Sequence, residues 1–185
     1  MNVLESAIYL QKAVKYSIKF GQSVGRFENP FENAIDCVDG IKVFLSDEYV
    51  RYYLGTPEGV PNGAALHLPM VGECIVVNTA AREAAVYDAL VAHEVGHVKC
   101  GHIAHRLAAC QTGKGLLKLL AHNPMRALGL NPSALLEELE ADAYAVRHVG
   151  KEAVLNLLIK IGGGKHPECL MRAKHIETAE FIAAV

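Results

Sequence analysis

No apolar run in this chain reaches the roughly 18 residues that a membrane-spanning helix needs. The longest candidate, Leu116-Leu117-Lys118-Leu119-Leu120-Ala121, is short and carries a lysine. The N-terminus lacks the charged, apolar and small-residue blocks of a secretory signal. An excess of either charge is missing too: 18 Lys and Arg stand against 20 Asp and Glu, a net charge of −2. That balance argues against nucleic acid or an anionic membrane as a main electrostatic partner. Lys12, Lys15 and Lys19 share one face of an early amphipathic segment and read as a solvated stripe. There is no CxxC. The five cysteines (Cys37, Cys74, Cys100, Cys110, Cys169) are scattered and odd in number, which suggests reduced thiols in a cytoplasmic setting. Gly113-Lys114-Gly115 lacks the spacing of a phosphate loop. No internal repeat is visible. These absences leave one domain over residues 1–185, with no transmembrane segment and long enough to bury an ordinary core.

What the chain does contain is His93-Glu94-Val95-Gly96-His97. Residues four apart on a helix share a face, so both imidazoles can offer a nitrogen to one Zn²⁺. Glu94 is then placed to act on an activated water. Such a string arises by chance in roughly three of a hundred chains of this composition, so its context decides. The residues before it, 79–92, are rich in helix formers and free of Gly and Pro. Asn78 or Thr79 can cap them. Val86, Leu90, His93 and His97 continue one apolar stripe, which predicts inward-facing histidines.

A catalytic zinc needs a third protein ligand and an open position. Glu137-Glu138-Leu139-Glu140-Ala141-Asp142 supplies one, on a helix that Asn131 can cap, Pro132 opens and Gly150 ends. Glu138 and Asp142 share a face, and the small residues Ala141 and Ala145 beside it permit close helix approach. Glu138 is expected to reach the metal. Asp142 is expected to fix the tautomer of a zinc-bound histidine. Glu137 and Glu140 are expected to be solvated carboxylates on the outer face.

Together the two motifs resemble the gluzincin pattern HExxH…ExxxD. The chain is most similar to the HtpX-like and CAAX-prenyl-protease metallopeptidases. Val98-Lys99-Cys100-Gly101-His102 resembles their HExxHxxxGH extension, and His166-Pro167 with Arg172 resembles their C-terminal HP…R element. The resemblance implies His93, His97 and Glu138 as zinc ligands, Glu94 as general base and Asp142 behind the ligands. For the oxyanion it favours His166 with Arg172, while His148 and Tyr144 stay open as candidates. Those families are membrane proteins, so this chain reads as a minimal catalytic domain without the membrane part. The metzincin pattern fails by register, because His102 falls five residues after His97. His102 is read as a helix-end or outer residue instead of a ligand.

The coarse pattern is α+β, mainly helical and zincin-like, with a small sheet beside the HExxH helix. Strands are expected at 41–45, 50–54, 65–68 and 74–77. Helices are expected at 3–20, 80–100, 103–111, 115–121, 132–149, 151–161 and 168–184. By resemblance, an edge strand at 64–68 or 74–78 holds an extended peptide. The function expected is a zinc metalloendopeptidase acting on peptide or protein substrates. Two alternatives are an ImmA/IrrE-type regulatory zinc peptidase and a non-catalytic zinc-stabilised binding module. The lack of a recognisable helix-turn-helix weighs against the first, and the intact Glu94 against the second.

Overall fold

The computed structural model describes residues 3–111 and 132–179. It is an α+β protein with a four-stranded mixed sheet, and it divides into two compact units, Met1–Tyr87 and Asp88–Val185. The expected helix at 115–121 and the Asn131 cap lie outside the described residues.

The first unit opens with α1 (Val3–Gly25) and then builds the sheet from β1 (Ala34–Val38), β2 (Ile41–Leu45), β3 (Gly63–Leu68) and β4 (Gly72–Val77). Spatial order is β1-β2-β4-β3. β2 and β4 run parallel, and the two outer pairs are antiparallel. β1 was not expected from the sequence. Its signal is Asp39-Gly40, the two-residue connection between paired Val38 and Ile41. Both residues have positive φ, 51° and 80°, as the tight hairpin turn that matches strand twist requires. β4 lies inside the sheet. Cys74, Ile75, Val76 and Val77 are all fully buried, the unbroken apolar run of a strand covered on both faces.

The strand expected at 50–54 is instead a π-helical turn, Tyr49–Tyr53, with Leu54 N–H donating to the Tyr49 carbonyl at 3.2 Å. The reason is packing. Tyr49 and Val50 are neighbours and both are buried, whereas a strand would send them to opposite faces. The Tyr49 ring meets Phe31 edge-on at 5.5 Å and stacks on Tyr53 at 4.9 Å. Tyr16, Phe44, Leu68 and Val76 complete this core.

The single helix expected at 80–100 is two. α2 (Thr79–Arg82) and α3 (Tyr87–Lys99) are separated by a turn, although nothing between them is a helix breaker. Tertiary anchors override propensity here. Asn78 caps α2 through Ala81 N–H at 2.9 Å. Its carboxamide also accepts from Asn62 N–H and donates to the Val60 carbonyl at 2.7 Å. Asp47 accepts from the Thr79 backbone and hydroxyl, both at 2.7 Å. At the other end, Tyr87 donates to Asp36 at 3.2 Å.

The second unit is helical: the body of α3, then α4 (His102–Gln111), α5 (Pro132–Val149), α6 (Lys151–Gly162) and α7 (Pro167–Thr178). Ala92, Ala145, Val146, Val154, Leu158 and Ile176 form its core, so α3, α5, α6 and α7 share one apolar centre. Among the described residues, no helix is long and apolar enough to cross a membrane.

Asn78 makes three hydrogen bonds from a buried position. Asn78→Ala is expected to lower unfolding stability by about 1–3 kcal/mol, read as a fall in the urea midpoint. A midpoint equal to wild type would show that water replaces all three.

A candidate metal centre on α3 and α5

The centre starts from a contact without side chains. A Cβ on Gly96 would lie 2.9 Å from both the Cα and the carbonyl oxygen of Ala141. Only glycine on α3 and a small residue on α5 allow the two backbones this close. The approach brings Glu138 opposite the two histidines, which stand one turn apart with ring planes at 89°.

The three side chains are buried and their donor atoms converge within 4.8 Å of one another. His93 Nε2 is 3.3 Å from Glu138 Oε2, and His97 Nε2 is 3.5 Å from Glu138 Oε1. Donors on a tetrahedral zinc with bonds of about 2.0–2.1 Å are themselves about 3.3–3.4 Å apart. The cluster could therefore hold a metal ion, and two imidazoles with one carboxylate are donors of the kind that zinc takes. Glu94 is also buried, on the same helix between the two histidines.

Behind the donors lies a dense charge network. Arg172, 3% exposed, grips Asp142 with Nε and Nη2, each at 2.7 Å, and donates to Glu138 from Nη1 at 2.8 Å. His93 Nδ1 sits 2.9 Å from Asp142 Oδ1. The contact is close but poorly aligned, and that nitrogen has no well-directed hydrogen bond. Burial alone would raise the carboxyl pKa values of Glu138 and Asp142. The histidines and Arg172 overcome this, and both stay below the usual range, Glu138 well below. Burial depresses His93, but Asp142 and Glu138 reverse this and bring it up to about 9.

Sequence-predicted residues fare differently. His93, His97, Glu138, Asp142 and Arg172 come together. Arg172 is buried behind the converging side chains, with its guanidinium on both carboxylates. His166 is exposed at the start of α7, where its side chain makes no capping bond. His148 is exposed near the end of α5. Its Nδ1 lies 2.8 Å from the Tyr144 carbonyl, and its ring stacks on Tyr144.

Glu140 is exposed, in line with the expectation of a solvated carboxylate, whereas Glu137 is largely covered. Glu137 accepts from Arg106 Nε at 2.9 Å and from its Nη2. Glu140, though largely exposed, lies 2.8 Å from His102 Nε2. His102 is buried, and its Nδ1 is 2.9 Å from Nδ1 of His97. Spacing puts His102 and Arg106 on one helix face and Glu137 and Glu140 on another, but it does not say that the two faces meet.

Two substitutions probe this assembly. Arg172→Ala leaves two buried carboxylates uncompensated and is expected to cost about 3–5 kcal/mol in denaturant unfolding. A loss under about 1 kcal/mol would mean the guanidinium is replaceable by water. Gly96→Ala drives a Cβ against Ala141 backbone, so α3 and α5 must part. Helical circular dichroism should persist while zinc affinity falls at least about tenfold; unchanged affinity would refute the need for close approach.

No protein-family model, curated protein or solved structure matches this chain, so any function must be argued from the cluster itself.

Proposed function

We propose that this chain is a zinc-dependent metalloendopeptidase of gluzincin type, similar to the HtpX-like and CAAX-prenyl-protease enzymes. One observation carries the reading. A buried acid, Glu94, stands within the same helical turn as two histidines that converge with a third donor, Glu138, from another helix. A site that only stabilised the fold would need the three donors but not Glu94.

In this reading His93, His97 and Glu138 hold the zinc. Bound zinc would supply Lewis acidity and bring the pKa of a water to about 7. Glu94 accepts a proton from the attacking water and returns it to the leaving amine. Asp142 and Arg172 position the donors: Asp142 beside His93 Nδ1, Arg172 across Asp142 and Glu138. His166 stays the candidate donor to the tetrahedral oxyanion, on resemblance alone.

Purified protein is expected to contain about one zinc per chain, lost in the His93→Ala/His97→Ala double variant. Glu94→Gln keeps the shape of the side chain but cannot take the proton. It should retain zinc and fold while losing hydrolysis of unfolded protein or an extended peptide. Zinc persisting in the double variant would remove the metal assignment. Full turnover by Glu94→Gln would remove the mechanism, and a zinc-loaded wild type that cuts nothing would favour the binding-module alternative.

A further inference from the structure

His97 presents Nε2 toward Glu138, and its other nitrogen meets a second histidine. We infer that His102 and Glu140 are positioning residues for His97, forming a relay in which Glu140 orients His102 and His102 accepts the Nδ1 hydrogen of His97. The inference rests on His97 being a metal ligand, as proposed above.

The argument is one of hydrogen counting. An imidazole that gives Nε2 to a metal carries its hydrogen on Nδ1. His97 Nδ1 then donates across 2.9 Å to His102 Nδ1, which must be bare. The single hydrogen of neutral His102 therefore sits on Nε2 and points at Glu140 Oε2, 2.8 Å away. An ionised carboxylate only accepts, so this contact is satisfied as well. The opposite assignment fails twice. It puts a bare His102 Nε2 against a carboxylate, and it moves the His97 hydrogen onto Nε2, where it blocks a metal. With both rings neutral, the only tautomer pair that satisfies both contacts is the pair that frees His97 for coordination.

Burial gives the relay its force. His102 is 5% exposed, so water does not readily replace it as the acceptor for His97. The two ligands are thus held by different means. His93 has a carboxylate, Asp142, directly at Nδ1, whereas His97 reaches its carboxylate through an intervening ring. Glu140, whose side chain is 63% exposed, forms the solvent end of the relay.

The test uses the full chain, with zinc affinity from competition against a chromophoric chelator and the visible spectrum of the Co²⁺ form. His102→Phe keeps a ring but removes the acceptor. It is expected to weaken zinc binding about 10–100-fold and to shift the Co²⁺ bands. His102→Asn places an oxygen near the position of Nδ1 and should recover most of the affinity and spectrum. Glu140→Gln should lose less, under about tenfold. Urea midpoints separate folding from binding. Wild-type affinity and an unchanged Co²⁺ spectrum in His102→Phe overturn the inference. So does equal loss in His102→Phe and His102→Asn, which marks a packing role. Where His102→Phe does not fold, Glu140→Leu, which removes the acceptor for His102 Nε2, overturns it by keeping wild-type affinity and spectrum. A wild type that binds no zinc overturns this inference together with the proposed function, whereas tight wild-type binding with an indifferent His102 overturns the relay alone.

Discussion

The centre depends on the near contact of two helix backbones at Gly96 and Ala141. With any side chain on Gly96, α3 and α5 would stand further apart, and Glu138 would fall short of the histidines. Helix packing is normally set by interdigitated side chains at 8–10 Å between axes. Here the absence of side chains at the crossing lets polar groups flanking it converge. The glycine inside the HExxH string therefore has a structural task of its own, apart from the chemistry of its neighbours.

Such convergence gathers charge where water is scarce. Two buried carboxylates are tolerable because Arg172 bridges them and the imidazoles of His93 and His97 face them. A buried network of this kind contributes little net stability and much geometric definition. Each carboxylate oxygen is held by a guanidinium or faces an imidazole, so the positions of these side chains are set by the chain itself. Preformed donors of this sort reduce the ordering that binding must otherwise impose.

Much of this second unit was legible in the sequence, because helical period and short motifs put His93, His97, Glu138 and Asp142 on faces that spacing alone identifies. The borders of α5 and α6 followed from Pro132 and Gly150. The contacts of His102, Glu137 and Glu140 were less legible, since they depend on how α4 lies against α5, and local spacing does not encode that. In the first unit, tertiary anchors prevailed over local preference. Arg82-Glu83-Ala84-Ala85 has good helix formers, yet Asn78, Asp47 and Asp36 fix the chain so that the helix breaks there. Val50–Leu54 has strand-like composition, but the aromatic cluster requires Tyr49 and Val50 on one side. β1 was missed because Asp36 interrupts the short apolar run Ala34-Ile35-Asp36-Cys37-Val38, which is mostly exposed. Only its Asp39-Gly40 turn announced it.

Cys74 carries one more implication. It is fully buried in the central strand of the sheet, and burial raises its thiol to about 12. The thiolate is the form that reacts with oxidants and alkylating reagents, and burial disfavours it here. Cys37 and Cys100, by contrast, are exposed free thiols. Among the described cysteines, oxidation of the folded chain should therefore reach exposed Cys37 before Cys74 and leave the middle of the sheet chemically silent until the first unit opens.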